Sequence, residues 1–80
     1  MHITVINDFV SFDEPHIRYD RVPNVRILDD DRNVVMDLRC FPVPVFEEDY
    51  DELMEFMEGY GATVVQEPDV KSGAWEDVIS

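Results

Sequence analysis

Asn24-Val25-Arg26-Ile27-Leu28-Asp29-Asp30-Asp31-Arg32-Asn33-Val34-Val35-Met36-Asp37-Leu38-Arg39-Cys40 reads as a β-hairpin. Residues 24–28 are rich in β-branched and aliphatic side chains, and residues 29–33 are a polar turn cluster. From Val34 the chain alternates. Val34, Met36, Leu38 and Cys40 fall on one side, and Val35, Asp37 and Arg39 on the other. One face of such a ribbon covers a core while the other meets water, the pattern of an antiparallel sheet. That sheet needs a cover for its apolar face.

Residues 47–58 supply one. Tyr50, Leu53, Met54 and Met57 recur at helical spacing and form one apolar stripe. Acids in the first turn suit the positive end of the helix dipole. Phe46 is placed to staple back onto that turn, and Gly59 and Gly61 supply the stop. Between hairpin and helix, Phe41-Pro42-Val43-Pro44-Val45-Phe46 reads either as a sheet margin or as a polyproline-like connector.

Further out the signals are shorter. Ala62 to Gln66 reads as a buried strand, broken by Glu67-Pro68-Asp69, and Lys71-Ser72-Gly73 is a loop. Trp75 to Ile79 is a last short strand or a docked tail. At the other end, residues 2–6 alternate, with Ile3 and Val5 facing one way and His2, Thr4 and Ile6 the other. Residues 7–15 read as a loop with its phenylalanines tucked onto the core. Residues 16–22 fit a ragged strand that ends at Pro23. The expected order is β-β-β-α-β with optional extra strands. The fold class is α+β: one domain over residues 1–80, a mostly antiparallel sheet of roughly three to five strands, and one amphipathic acidic helix on one face.

Composition narrows the function classes. A chain of 80 residues allows one domain with a thin core. Hydrophobic residues at 45% argue against disorder. The lone Cys40 cannot form an internal disulfide. No stretch approaches the ~20 apolar residues of a membrane span, and the N-terminal residues lack the pattern of a signal peptide, so a cytoplasmic location is expected. The net charge of −13 argues against nucleic acid or an anionic membrane as a direct ligand.

The charge is also unevenly placed. All five arginines lie between Arg18 and Arg39, so residues 1–39 carry a net −3 while residues 40–80 carry −10. No Lys or Arg occurs from Cys40 to Val70. Within the helix, Glu47 and Asp51, Glu48 and Glu52, and Asp51 and Glu55 are like-charge pairs four residues apart, each costing a few tenths of a kcal/mol. Glu58 sits where a lysine would suit the dipole. This helix gives up local stability for negative charge, which points either to a surface held for a basic partner or to solubility and salt adaptation.

Signatures of other chemistry are weak. Asp29-x-Asp31-x-Asn33 matches the start of a calcium loop, but Val34 stands where glycine is needed and Cys40 where a bidentate glutamate is needed. His2, His16 and Cys40 fit no zinc spacing. Ser11, Ser72 and Ser80 lie in no nucleophile context, and Gly59-Tyr60-Gly61 is a helix stop rather than a phosphate loop. No enzyme, cofactor or metal is expected. Trp75 and Tyr60 are either core residues or interface anchors.

In size, in the one-signed segment Cys40–Val70, and in a short antiparallel sheet followed by the acidic helix Glu47–Glu58, the chain resembles the small acidic inhibitors of phages and mobile elements, the DNA mimics and anti-CRISPR proteins. The resemblance implies competition with DNA or RNA for a basic channel, with Glu48, Asp51, Glu52, Glu55 and Glu58 standing in for phosphates. With Glu47 and Trp75 these residues form the expected partner-binding set. The partner is a basic protein surface, on a nucleic-acid-binding protein or complex, and the chain is a monomer or homodimer. Two alternatives remain open: an immunity protein or antitoxin against a basic nuclease, and a salt-adapted structural subunit of a host complex.

Overall fold

The computed structural model of the chain describes residues 1–10, 16–17 and 22–79. Its elements are β1 (His2–Asp8), β2 (His16–Ile17), β3 (Val25–Leu28), β4 (Val34–Phe41), a 3-10 turn (Glu47–Asp49) running into α1 (Tyr50–Glu58), β5 (Val64–Pro68) and β6 (Trp75–Ile79). The strands form one sheet in the order β2-β1-β4-β3-β5-β6, with every neighbouring pair antiparallel. Five are full strands, and β2 is a two-residue pairing against Asn7 and Asp8. The α+β class and the single helix agree with the sequence pattern. The order gains β6, the optional last strand, and β2 at the sheet margin.

The hairpin of β3 and β4 forms the sheet's centre. Asp29 closes its turn by accepting the backbone N–H groups of Asp31 and Asn33 on one carboxylate oxygen, at 3.0 and 2.9 Å, as aspartate does in Asx turns. One of the oxygens that suggested a calcium loop, Asp29 Oδ1, is thus engaged in holding the turn. Val25, Ile27, Met36, Leu38 and Cys40 project from the hairpin, with Val65 from β5, onto Leu53 and Met57 of α1. Val45 joins them from the crossover, and its N–H donates to Glu67 at 2.7 Å. Asn24 extends the ladder with its side chain, accepting the Cys40 N–H at 2.8 Å and donating to the Cys40 carbonyl at 3.0 Å.

Several local expectations change. A register shift between Val5 and Asn7 makes Ile6 a bulge residue, and it is buried, whereas His2 is exposed and Thr4 half-buried. Phe9 is 41% exposed, not tucked in; Phe12 and most of the 16–22 strand reading lie outside the described residues. Residues 42–44 bend, so neither a sheet margin nor a polyproline segment forms there. Phe46 is exposed while Val45 takes the buried place. In α1, Met54 is 49% exposed and Phe56 packs partly against the core instead. β5 continues through Pro68 because Pro68 pairs only with Trp75 near the hairpin end, where a missing N–H costs little.

The face away from α1 is not simply wet. Asn7, Asp37, Arg26, Gln66 and Asp77 stand in register across β1, β4, β3, β5 and β6. Asp37, only 4% exposed, accepts from Asn7 Nδ2 at 2.7 Å and from Arg26 Nε at 2.8 Å. Asp77 accepts from Gln66 at 2.8 Å and from both terminal nitrogens of Arg32 at 3.0 Å. Val35, at the register shift between β3 and β4, is buried with the core cluster that contains Leu53 and Met57.

The fork of Arg32, with Gln66 beside it, holds the Asp77 carboxyl down at about 2. The unfolded carboxyl titrates near 3.9. The bond therefore stabilises the fold above about pH 4, and that contribution is lost as pH falls through the folded value. Asp77→Asn is expected to be less stable than the native chain at pH 7, with the difference shrinking as pH drops from about 5 to 2. Urea midpoints measured across that range check it. A gap that stays constant with pH would count against the ion pair.

Candidate protein-binding surface

The helix begins from a 3-10 turn in which Glu47 and Glu48 are exposed. Acids occupy its first turn, and its last turn carries no basic residue. Leu53 and Met57 point to the core, so Asp51, Glu55 and Glu58, at spacings of four and three, fall on the solvent side. Among the described residues none of Glu47, Glu48, Asp51, Glu55 and Glu58 makes a salt bridge or a side-chain hydrogen bond. Glu52 differs, since its carboxylate accepts from the Met1 ammonium at 3.0 Å.

Gly61 completes the helix end with φ +72°, a left-handed conformation that glycine adopts without strain. The Ala62 N–H returns to the Met57 carbonyl at 3.1 Å, and the Thr63 N–H reaches the Leu28 carbonyl at 2.8 Å. Thr63 also donates its hydroxyl to Asp30 at 2.6 Å. The chain therefore doubles back beside α1 and is pinned to the central hairpin. Between helix and returning segment lies a groove of about 480 Å³. Met54, Met57 and Ala62 give it an apolar lining, while Asp51, Glu55 and Glu58 stand along it, and no basic residue lines it.

Not all the sequence-predicted residues come together. Glu47, Glu48, Asp51, Glu55 and Glu58 share one exposed band, with Glu52 at its margin tied to the N-terminus. Trp75 lies elsewhere, half-buried on the sheet face opposite α1, with the Arg26 guanidinium 4.4 Å from its ring centroid. Tyr60 rests on Phe56 at a centroid distance of 5.3 Å. The groove itself was missed by sequence reasoning. Its only sequence signal is the pair Met54 and Gly61, one assigned to the core stripe and the other to the helix stop.

The described arginines are engaged away from the helix. Arg26 pairs with Asp37, Arg32 with Asp77, and Arg39 donates to the Val22 carbonyl at 2.8 Å. Burial pushes the Cys40 thiol up to about 11, with Glu67 adding to the shift, so it stays protonated at neutral pH and is a poor nucleophile. No His, Cys, Asp and Glu cluster that could hold a metal occurs among the described residues, and no described helix is long and apolar enough to cross a membrane. Comparison with protein-family models, curated proteins and solved structures finds no match to this chain.

Proposed function

We propose that the protein is a non-enzymatic inhibitor that binds the basic surface of a nucleic-acid-binding protein or complex and blocks its DNA or RNA binding, in the manner of DNA mimics and anti-CRISPR proteins. One observation carries the reading: the described arginines are spent on the sheet, leaving an unneutralised carboxylate band on α1. Along the helix axis Asp51, Glu55 and Glu58 are separated by about 6 Å and about 4.5 Å, a spacing of the same order as successive phosphates on a strand. A rigid helix presents these charges without an ordering cost at the moment of binding. The reading places its action in the cytoplasm, where such a target works on nucleic acid.

Affinity capture with the tagged protein from nuclease-treated host lysate tests this. A DNA- or RNA-binding complex is expected at low salt and is expected to be lost as salt rises, because opposed charged surfaces attract less when screened. Recovery of a salt-resistant partner unconnected with nucleic acid would refute the proposal.

A further inference from the structure

The groove beside α1 has no use in pure phosphate mimicry. Phosphate-binding surfaces ask for charge, and an apolar channel adds nothing to that. Here Met57 and Ala62, both buried in the core, reach the base of a groove whose half-exposed wall is Met54, and three carboxylates stand along it. Its volume of about 480 Å³ falls within the roughly 300–1,000 Å³ of ligand pockets. A thioether wall is polarisable and adapts to the shape of an entering side chain.

We infer that this groove takes an apolar side chain of the inhibited protein, one flanked in its own sequence by lysine or arginine; the inference rests on the reading given above. Charge complementarity selects the occupant. Asp51, Glu55 and Glu58 line the groove with no cation beside them, so nucleic acid and anionic lipid are repelled. A second copy would set the same three acids against each other across a two-fold interface. A basic segment with an apolar residue satisfies both parts of the site. Seating the apolar side chain expels water, which lowers the local dielectric and strengthens the surrounding ion pairs. The anchor therefore supplies specificity that a bare acidic surface lacks.

The test uses nuclear magnetic resonance titration of the full chain at low salt with two defined peptides. One is a capped hexapeptide with two central leucines between arginine and lysine pairs, and the other has serines in place of the leucines. The leucine peptide is expected to bind roughly tenfold more tightly and to shift the methyl signals of Met54 and Ala62. Met54→Ser, a change at a site 49% exposed in a variant whose folding is checked by circular dichroism, is expected to erase the preference between the peptides. Equal binding of the two peptides, with shifts confined to the acidic residues, would overturn the groove proposal and leave the acidic-surface reading standing. Binding of neither peptide would count against both. Concentration-dependent shifts of the free protein at Met54 and Ala62 would assign the groove to a second copy instead.

Discussion

Asp37→Ala is expected to cost about 3 kcal/mol of folding stability. Asp37 is 4% exposed and is the shared partner of two donors, Asn7 Nδ2 and Arg26 Nε. Removing it strands both, and a half-broken buried pair typically costs about 3–5 kcal/mol. The lower end applies because the Arg26 side chain keeps 27% exposure and can recover some hydration. An opposing effect exists, since the protein carries a net charge of −13 and losing one acid relieves self-repulsion. That relief is screened by salt and spread over the surface, whereas the lost bonds are local and partly desolvated, so destabilisation wins. An 80-residue domain has roughly 4–12 kcal/mol in total, so the variant sits near the edge of folding. Urea unfolding followed by circular dichroism checks this, with Glu76→Ala as an exposed control of equal charge change. If Asp37→Ala matched that control, the polar row would be decoration on the sheet and not part of its support.

The double change Glu55→Lys and Glu58→Lys is expected to move stability and binding in opposite directions. The lysine replacing Glu55 would follow Asp51 by four residues, the favourable order for a helical ion pair. The lysine replacing Glu58 would sit at the negative end of the dipole, where the native last turn has no basic residue. Together these are expected to raise stability by up to about 1 kcal/mol. The same two carboxylates stand along the groove and on the exposed band, so affinity for the captured partner is expected to fall by roughly 100-fold at low salt. A comparison double variant, Asp31→Lys with Glu76→Lys, makes the same change in net charge away from α1 and is expected to bind within a few-fold of the native chain. The opposite signs matter because misfolding would lower both quantities. Stabilisation without loss of binding would assign the acidic helix to solubility or salt adaptation and end the inhibitor reading.

The legible part of the fold was local. Residues 24–40 could be read as a hairpin because β-pleating repeats every two residues and the Asp-rich turn carries its own backbone-bonding side chain in Asp29. Residues 47–58 could be read as helical because Leu53 and Met57 recur at its period. Charge segregation was legible too, since it needs only counting. The misreadings came from side chains whose fate depends on distant partners. Met54 fits the apolar stripe as well as Phe56 does, and the helix's rotation on the sheet decided between them. Asp37 and Arg39 occupy equivalent alternating positions, yet only Asp37 is buried, because β1 and β3 bring Asn7 and Arg26 to it from 30 and 11 residues away.

By itself, then, the sequence determined the class, the central hairpin, the span of the helix and the one-signed charge of its exposed side. These follow from backbone periodicity and from residue chemistry within a few positions. Tertiary structure alone decided the strand order and the pairing of Arg32 with Asp77 across 45 residues, which drew positive charge onto the sheet. It also set Trp75 on the face away from α1 and formed a groove where the chain returns past Met54. Those outcomes depend on which distant segments bury each other best once loops have closed, a comparison among whole arrangements that no local pattern contains.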